Sequence, residues 1–454
     1  MMAALLIALF CQEHAPRLAP VSARLTAAQS AALRALARGE ALERWPEMSA
    51  QQARALEREA EAALRDYRRY HQPHGTTADV WFRDASRRAV AKLDGIGDSA
   101  TWHGHYLAAL AFRWSVRKDA ATLRDIRAAL GAFERLASVS GRDGYLARYA
   151  GPAESEPYRL YYSVYGRGPD PARPGLGTWA FAGEGQHAGL VWLGNSSRDV
   201  LIGANLGLAA TWRLVSDPEA RRRTAALVER ILERLIADNW WIDDGRGHRT
   251  IVTPTVAAAL LRTGASVNPA RYGALYAERA ERVLALRSFP PPKLGEYFPN
   301  NLRYAQLTVL CTLEDEPSRR ARYAEAMREL WRQSADHLNA HFAAMAMSAT
   351  GDTADVSARA TLQGCLLAYP AGPRWARKVD LTGRPDIEKQ TDARGRLWAR
   401  HALPVEERVP TDFLWQRSPC LLEGGGDAPL AYPRIDLFLP YWMGRHAGAL
   451  PAPR

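Results

Sequence analysis

Lysine is scarce in this sequence. Only 5 of the 60 basic residues are lysine, although the formal net charge is +11. Nucleic-acid binders of such charge usually gather Lys, Arg and Gly into runs. Here the arginines are spread along helix faces, as in ARRRTAALVERILERL from Ala220. No nucleic-acid partner is expected, while a few focused arginines leave an anionic ligand open. Cysteine is scarce as well. Cys11, Cys311, Cys365 and Cys420 stand alone, with no CxxC, which excludes a readable zinc ribbon or thioredoxin-like site. No apolar run reaches the roughly 20 residues of a transmembrane helix. The sequence also lacks a Walker A loop, a GxGxxG after a strand, a GxSxG elbow and an HExxH helix. Neither a cofactor nor a metal is expected.

The first 20 residues, MMAALLIALFCQEHAPRLAP, read as a signal-like segment: a short apolar run, then polar, proline-containing chain. The basic leader of a secretory signal is missing, and Phe10 before Cys11 does not suit lipoprotein cleavage. Export to the periplasm or beyond is the expectation, with a cytoplasmic location as the alternative. Residues 21–454 are expected to form one domain. Their composition is that of an ordinary folded chain, 47% hydrophobic and 24% charged. The 14 Trp and 17 Tyr are enough to line a sugar-binding cavity as well as to pack a core.

Helical periodicity dominates, and it alternates. Stretches such as GHYLAALAFRW, IGANLGLAATW and TVAAALL are apolar nearly all round. Each is followed by an amphipathic stretch rich in Arg and Glu. All-round apolar helices are buried and amphipathic ones face solvent. Inner and outer helices in alternation predict an all-α toroid of helical hairpins. Ser49 with Gln52 forms a capping-box pattern, Gly141 suits a helix C-cap, and Pro218 suits a first helical turn. The span from Pro317 to Thr350 reads as continuous helix, and RTIVT as the best strand. Residues 142–197 are a loop-rich, aromatic insertion, and 366–454 an irregular C-terminal wrap.

The stretches DSATWHGHYLAALAFRW and SSRDVLIGANLGLAATW resemble inner helices of the six-hairpin-glycosidase-like (α/α)6 barrels. That resemblance is architectural and spans roughly residues 50–440. It implies a carbohydrate-active enzyme: a glycoside hydrolase, a polysaccharide lyase or a sugar epimerase.

Candidate site residues follow from where polar groups interrupt the apolar rhythm. Asp98 and Asp199 stand at helix starts, where a carboxylate is a good cap and is favoured by the helix dipole. Trp102, His105 and Tyr106 share one helical face, with His103 on a neighbouring one. Asn205 sits amid apolar residues and needs either a partner or a polar cavity. The loop GTWAFAGEGQHAGLVWLGN carries Glu184 and His187 between Trp179 and Trp192. Glu184 is expected to be the general acid there, raised by desolvation, with Asp199 as base. Arg148, Tyr149, Arg159 and Tyr161 are expected to bind substrate.

The leading expectation is a glycoside hydrolase with paired carboxylates in the toroid's central funnel, acting on an oligo- or polysaccharide, neutral or anionic. The alternatives are a lyase or epimerase on a uronate glycan, run by His105, Tyr106, Arg148 and Tyr161, and a non-catalytic glycan-binding toroid. The hydrolase expectation brings Asp98, His105, Glu184 and Asn205 to one cavity.

Overall fold

A computed structural model of the chain describes residues 24–152, 179–284 and 297–453. Thirteen α-helices run through these residues: α1 (Ala27–Ala37), α2 (Ala50–Tyr70), α3 (Ser99–Arg117), α4 (Ala120–Leu136), α5 (Arg198–Leu214), α6 (Pro218–Ala237), α7 (Pro254–Val267), α8 (Pro269–Leu284), α9 (Phe298–Leu313), α10 (Pro317–Arg332), α11 (Ala340–Thr350), α12 (Val356–Leu367) and α13 (Ile435–Ala447). Helices α3, α5, α7, α9, α11 and α13 pack each on the next, and α13 returns to α3. Helices α2, α4, α6, α8, α10 and α12 pack outside this ring, and α1 covers α12. This is the expected all-α (α/α)6 toroid.

The two rings follow from side-chain pattern. In α3 every residue from Ser99 to Phe112 is buried, and in α5 every residue from Val200 to Thr211. Helix α2 instead buries one stripe, Ala53, Leu56, Ala60, Ala63, Leu64 and Tyr67, at spacings of three and four. Deleting one such leucine, Leu64→Ala, would cost about 2–5 kcal/mol, because it is 1% exposed and leaves a cavity. The dispersed arginines also find their place, bridging neighbouring helices. Arg223 of α6 holds Glu134 of α4 through two bonds of 2.7 Å. Arg271 of α8 holds Glu233 of α6 at 2.9 Å, and Arg113 of α3 holds Glu61 of α2 at 3.1 Å.

Ser49 makes its capping box with Gln52, and Pro218 opens α6. RTIVT supplies β7 (Arg249–Ile251), which pairs with β6 (Trp241–Asp243). Three expectations fail. The span from Pro317 is two helices, because the chain turns at Ala335–His337, Leu338 takes a positive φ of 48°, and Asn339 caps α11 through two backbone amides. Helix α4 ends at Leu136, and Gly141 serves the following turn. The stretch 366–454 is not irregular throughout, since it contains α13, the sixth inner helix. Pro440 lies inside that helix and removes one backbone donor, yet burial of Ile435–Gly444 on all sides keeps it in the ring.

Short strands deliver the chain to the inner helices. Strands β1 (Asp79–Phe82) and β2 (Val90–Asp94) lead into a 3-10 turn at Ile96–Asp98 and then α3. Strand β3 (Tyr149–Pro152) pairs with β5 (Leu190–Leu193), which pairs with β4 (Ala180–Ala182), and β5 leads towards α5.

Candidate active site

Helices α3 and α5 touch backbone to backbone. A Cβ added to Gly104 would lie 1.9 Å from the Gly203 carbonyl oxygen, and one at Gly207 would lie 2.6 Å from the Gly104 carbonyl oxygen. Gly203 in turn abuts Thr101. The contacts advance together along both chains, so the helices run the same way and start at the same level. That brings Asp98, at the N-cap of α3, beside Asp199, in the first turn of α5.

A third carboxylate comes from the far end of the sequence. Asp412 Oδ2 accepts the Trp102 indole N–H at 2.9 Å, and its Oδ1 accepts Gln416 Nε2 at 2.7 Å and the Thr411 hydroxyl at 2.5 Å. Phe413 stacks on Trp102, with ring centres 4.6 Å apart and planes 9° from parallel. The following turn is pinned by Asp436, fully buried in α13, which accepts the Leu414 amide at 2.7 Å and the Tyr369 hydroxyl at 2.6 Å and is ion-paired with Arg374.

Asp98, Asp199 and Asp412 line one cavity of about 450 Å³, together with Phe298, Trp398 and Arg417. That size suits a small ligand or a few rings of a larger one. Phe298 is 50% exposed, so its ring presents an apolar face at the cavity.

Arg148 braces the two helix starts. Its Nε donates to the Asn195 carbonyl at 2.7 Å and its Nη1 to the Gly97 carbonyl at 2.8 Å. Its guanidinium lies 3.6 Å from Asp98 and over the Trp179 ring. Its backbone is fixed too, accepting from Ala100 and donating to Leu193 of β5. Asp244, 1% exposed, holds the loop before α5 by accepting the amides of Asn195 and Arg246 and the His248 ring.

The carboxylates differ in proton affinity. Asp98 is pushed up to about 6, first by desolvation and then by the charges of Asp412 and Asp199, against the pull of Arg148 and Arg417. Its side chain is only half-buried, 49% accessible from the cavity, so its desolvation is partial. Asp199 is also raised by desolvation, and there Arg148 and Arg198 oppose the shift. Asp79, on β1, lies behind the turn that carries Asp98, and a Cβ at Gly95 would meet its carboxylate at 2.6 Å. Burial drives Asp79 well above the usual range, with Asp412, Asp94 and Asp98 adding to it. Among the described residues no group of His, Cys, Asp and Glu is close enough to hold a metal ion.

No protein-family model matches the sequence, and no curated protein matches it. One solved structure that aligns is an inactive variant of the α-1,6-mannanase GH76A of Salegentibacter sp. HEL1_6 in complex with α-1,6-mannotriose. It is 12% identical, covers 88% of this chain and 99% of that one, and superposes with a TM-score of 0.31. A likeness that weak bears on neither mechanism nor substrate.

Of the residues picked from sequence, Asp98 and Asp199 line the cavity, Arg148 braces it and Trp102 holds Asp412 from behind. Others lie elsewhere. Glu184 is not in the cavity: its side chain is 71% exposed and paired with Arg246 at 2.9 Å, because the turn Gly185–His187 carries it outward. His187 meets Ser138 on the outer surface. His105 is 1% exposed, its Nδ1 on the Thr101 carbonyl at 2.9 Å, and its ring faces His341 and Phe413 in the toroid's interior. Tyr106 stacks on Tyr67 at 4.2 Å, and His103 bonds the Ala129 carbonyl at 3.1 Å. Both are core residues. Tyr149 and Trp192 are fully buried within the small β-sheet, on β3 and β5, and Trp192 donates to the Ala182 carbonyl. Asn205 is enclosed between α5, α6, α7 and α9. The expectation that Asp98, His105, Glu184 and Asn205 share one cavity is therefore corrected. Arg159, Tyr161 and the first 20 residues lie outside the described residues.

Sequence reasoning missed Asp412, Phe298, Trp398 and Arg417. A signal was there for Asp412: TDFLWQ sets one carboxylate among aromatic residues in a stretch otherwise read as wrap.

Proposed function

We propose that this chain is a carbohydrate-active enzyme of the glycoside hydrolase type, working in the cavity of Asp98, Asp199 and Asp412. One observation carries the reading: two carboxylates at adjacent helix starts share a cavity, and one of them, Asp98, is held protonated to about pH 6 by burial and by its neighbours' charge. Glycoside hydrolysis needs that asymmetry, an acid for the leaving oxygen and an ionised partner for water or the anomeric carbon.

In this reading Asp98 protonates the departing glycosidic oxygen. Asp199 is the ionised partner in this reading: desolvation raises it as well, but Arg148, Arg198 and the helix N-terminus work to keep its charge. Asp412 does not transfer a proton; its negative charge keeps the proton on Asp98. Arg148 fixes the spacing of the two helix starts. Phe298 and Trp398 offer apolar faces to a sugar ring. The lyase or epimerase alternative rests on His105, Tyr106, Arg148 and Tyr161; of these, His105 and Tyr106 are walled into the core, Arg148 braces the cavity, and Tyr161 lies outside the described residues, so the hydrolase reading is preferred.

The test is release of reducing ends from a panel of neutral and acidic oligosaccharides near pH 5. Asp98→Asn and Asp199→Asn should each lower turnover by about 10²–10⁴-fold with an unchanged unfolding midpoint. Near-wild-type turnover in both variants on a substrate the parent cleaves would overturn the proposal.

A further inference from the structure

Resting on the glycosidase reading, we infer that the cavity is built for an acidic saccharide, a uronic acid or a similarly anionic sugar, and that Arg417 recognises its carboxylate.

The inference starts from which cations at the cavity are already committed. Arg148 spends its guanidinium on the carbonyls of Gly97 and Asn195. Arg396, which also lines the cavity, is paired with Asp392 at 3.0 Å and lies over the Trp398 ring. Arg417 lines the same cavity, and its guanidinium makes no hydrogen bond or ion pair with any described residue. It is near enough to act electrostatically on Asp98, yet bonds to none of the three aspartates. The turn at Leu414–Gln416, pinned by Asp436, holds the backbone that carries it.

Charge explains the need for it. Besides Asp98, the carboxylates of Asp199 and Asp412 face the ligand. They repel an anion, so an acidic sugar needs a cation in the same cavity. A neutral sugar offers the exposed Arg417 guanidinium only hydroxyl acceptors, whereas a ligand carboxylate adds charge to the hydrogen bonds and is held more strongly. A planar fork of N–H donors matches a carboxylate in two parallel bonds. Phe298, half exposed and lining the same cavity, offers an apolar face to a sugar ring.

The test is calorimetric binding to full-length Asp98→Asn protein, which holds substrate without turnover. The probes are matched pairs of trisaccharides: glucose with glucuronate, galactose with galacturonate, mannose with mannuronate. At least one uronate member should bind ten- to a hundredfold more tightly than its neutral partner and weaken with added salt. Arg417→Gln should erase that preference, and Arg417→Lys should keep only part of it. Equal or tighter binding of every neutral member, or a preference that survives Arg417→Gln, overturns the inference. Incubation of the uronates with wild-type protein then tests the hydrolase reading separately. Arg417-dependent binding with no product, or with an unsaturated uronate product, leaves the acidic-sugar inference standing and removes the hydrolase.

Discussion

Replacing Asp412 with Asn removes one negative charge beside Asp98 and keeps nearly the same shape. The side chain can still accept the Trp102 indole N–H, so the fold around the cavity should persist. What changes is the proton affinity of Asp98. Burial raises it first and Asp412 second, with Asp199 adding and Arg148 and Arg417 opposing, and the balance stands at about 6. Removing a neighbouring like charge lowers a carboxyl group's proton affinity by about one to three pH units in a partly buried setting. Asp98 is 49% accessible, and solvent screens the effect to about one unit. The acid then titrates near pH 5 instead of 6. Only the protonated acid works, so kcat/KM on the alkaline side falls tenfold per pH unit. Asp412→Asn should therefore move the alkaline limb down by about one unit, costing about tenfold at pH 7 and little near pH 4.5. Arg417→Gln, assayed on a neutral substrate, should move the limb the other way, because Arg417 pulls Asp98 down. The assay is the pH profile of kcat/KM for wild type and both variants, with unfolding midpoints as controls. A limb that stays put in both, or rises in Asp412→Asn, refutes the assignment of that limb to Asp98.

Other perturbations test the scaffold. Gly104→Ala puts a methyl group 1.9 Å from a backbone oxygen that cannot swing aside, so α3 and α5 must separate; stability should drop by about 3 kcal/mol or more in urea titration, and activity with it. Asp436→Asn strips the buried Arg374 of its counter-charge and weakens the hold on the Leu414 amide; a loss of about 3–5 kcal/mol is expected, with the double variant Asp436→Asn and Arg374→Met recovering part of it. Burial lowers His71, His103 and His105 to about 4. The unfolded chain takes up protons below about pH 6.5 that the folded chain refuses, so stability should be full above that pH and fall as pH drops towards 4, by up to about 3 kcal/mol per histidine. His105→Gln should flatten that pH dependence by one proton in denaturation measured across the range.

The ring of helices was legible because alternation of all-round apolar with amphipathic stretches has few solutions. Asp98 and Asp199 were legible for a related reason: each is a carboxylate at the mouth of a helix whose remaining turns are core. Their adjacency depended on Gly104, Gly203 and Gly207, which sequence shows only as small residues. Asp412 was hidden because what holds it is remote. Trp102 lies 310 positions away in sequence, and the turn after Asp412 hangs on Asp436 in a helix that Pro440 disguises. Glu184 misled in the opposite way. Its aromatic neighbours suggested a desolvated acid, but Trp192 points into the core and the Gly-rich turn sends Glu184 to solvent beside Arg246. The pair His103 and His105 also carried chemical promise that helix geometry spends on packing and on backbone carbonyls.

The role of Asp98 as proton donor is tested most directly by varying the leaving group. On a cleaved glycan sequence, glycosides can be made with an alkyl leaving group, which needs a proton, and with a dinitrophenyl leaving group, which departs without one. Comparing kcat/KM of Asp98→Asn with wild type on both, the account predicts a loss of about 10²–10⁴-fold for the alkyl glycoside and less than about tenfold for the dinitrophenyl glycoside. An equal loss on both substrates would contradict it.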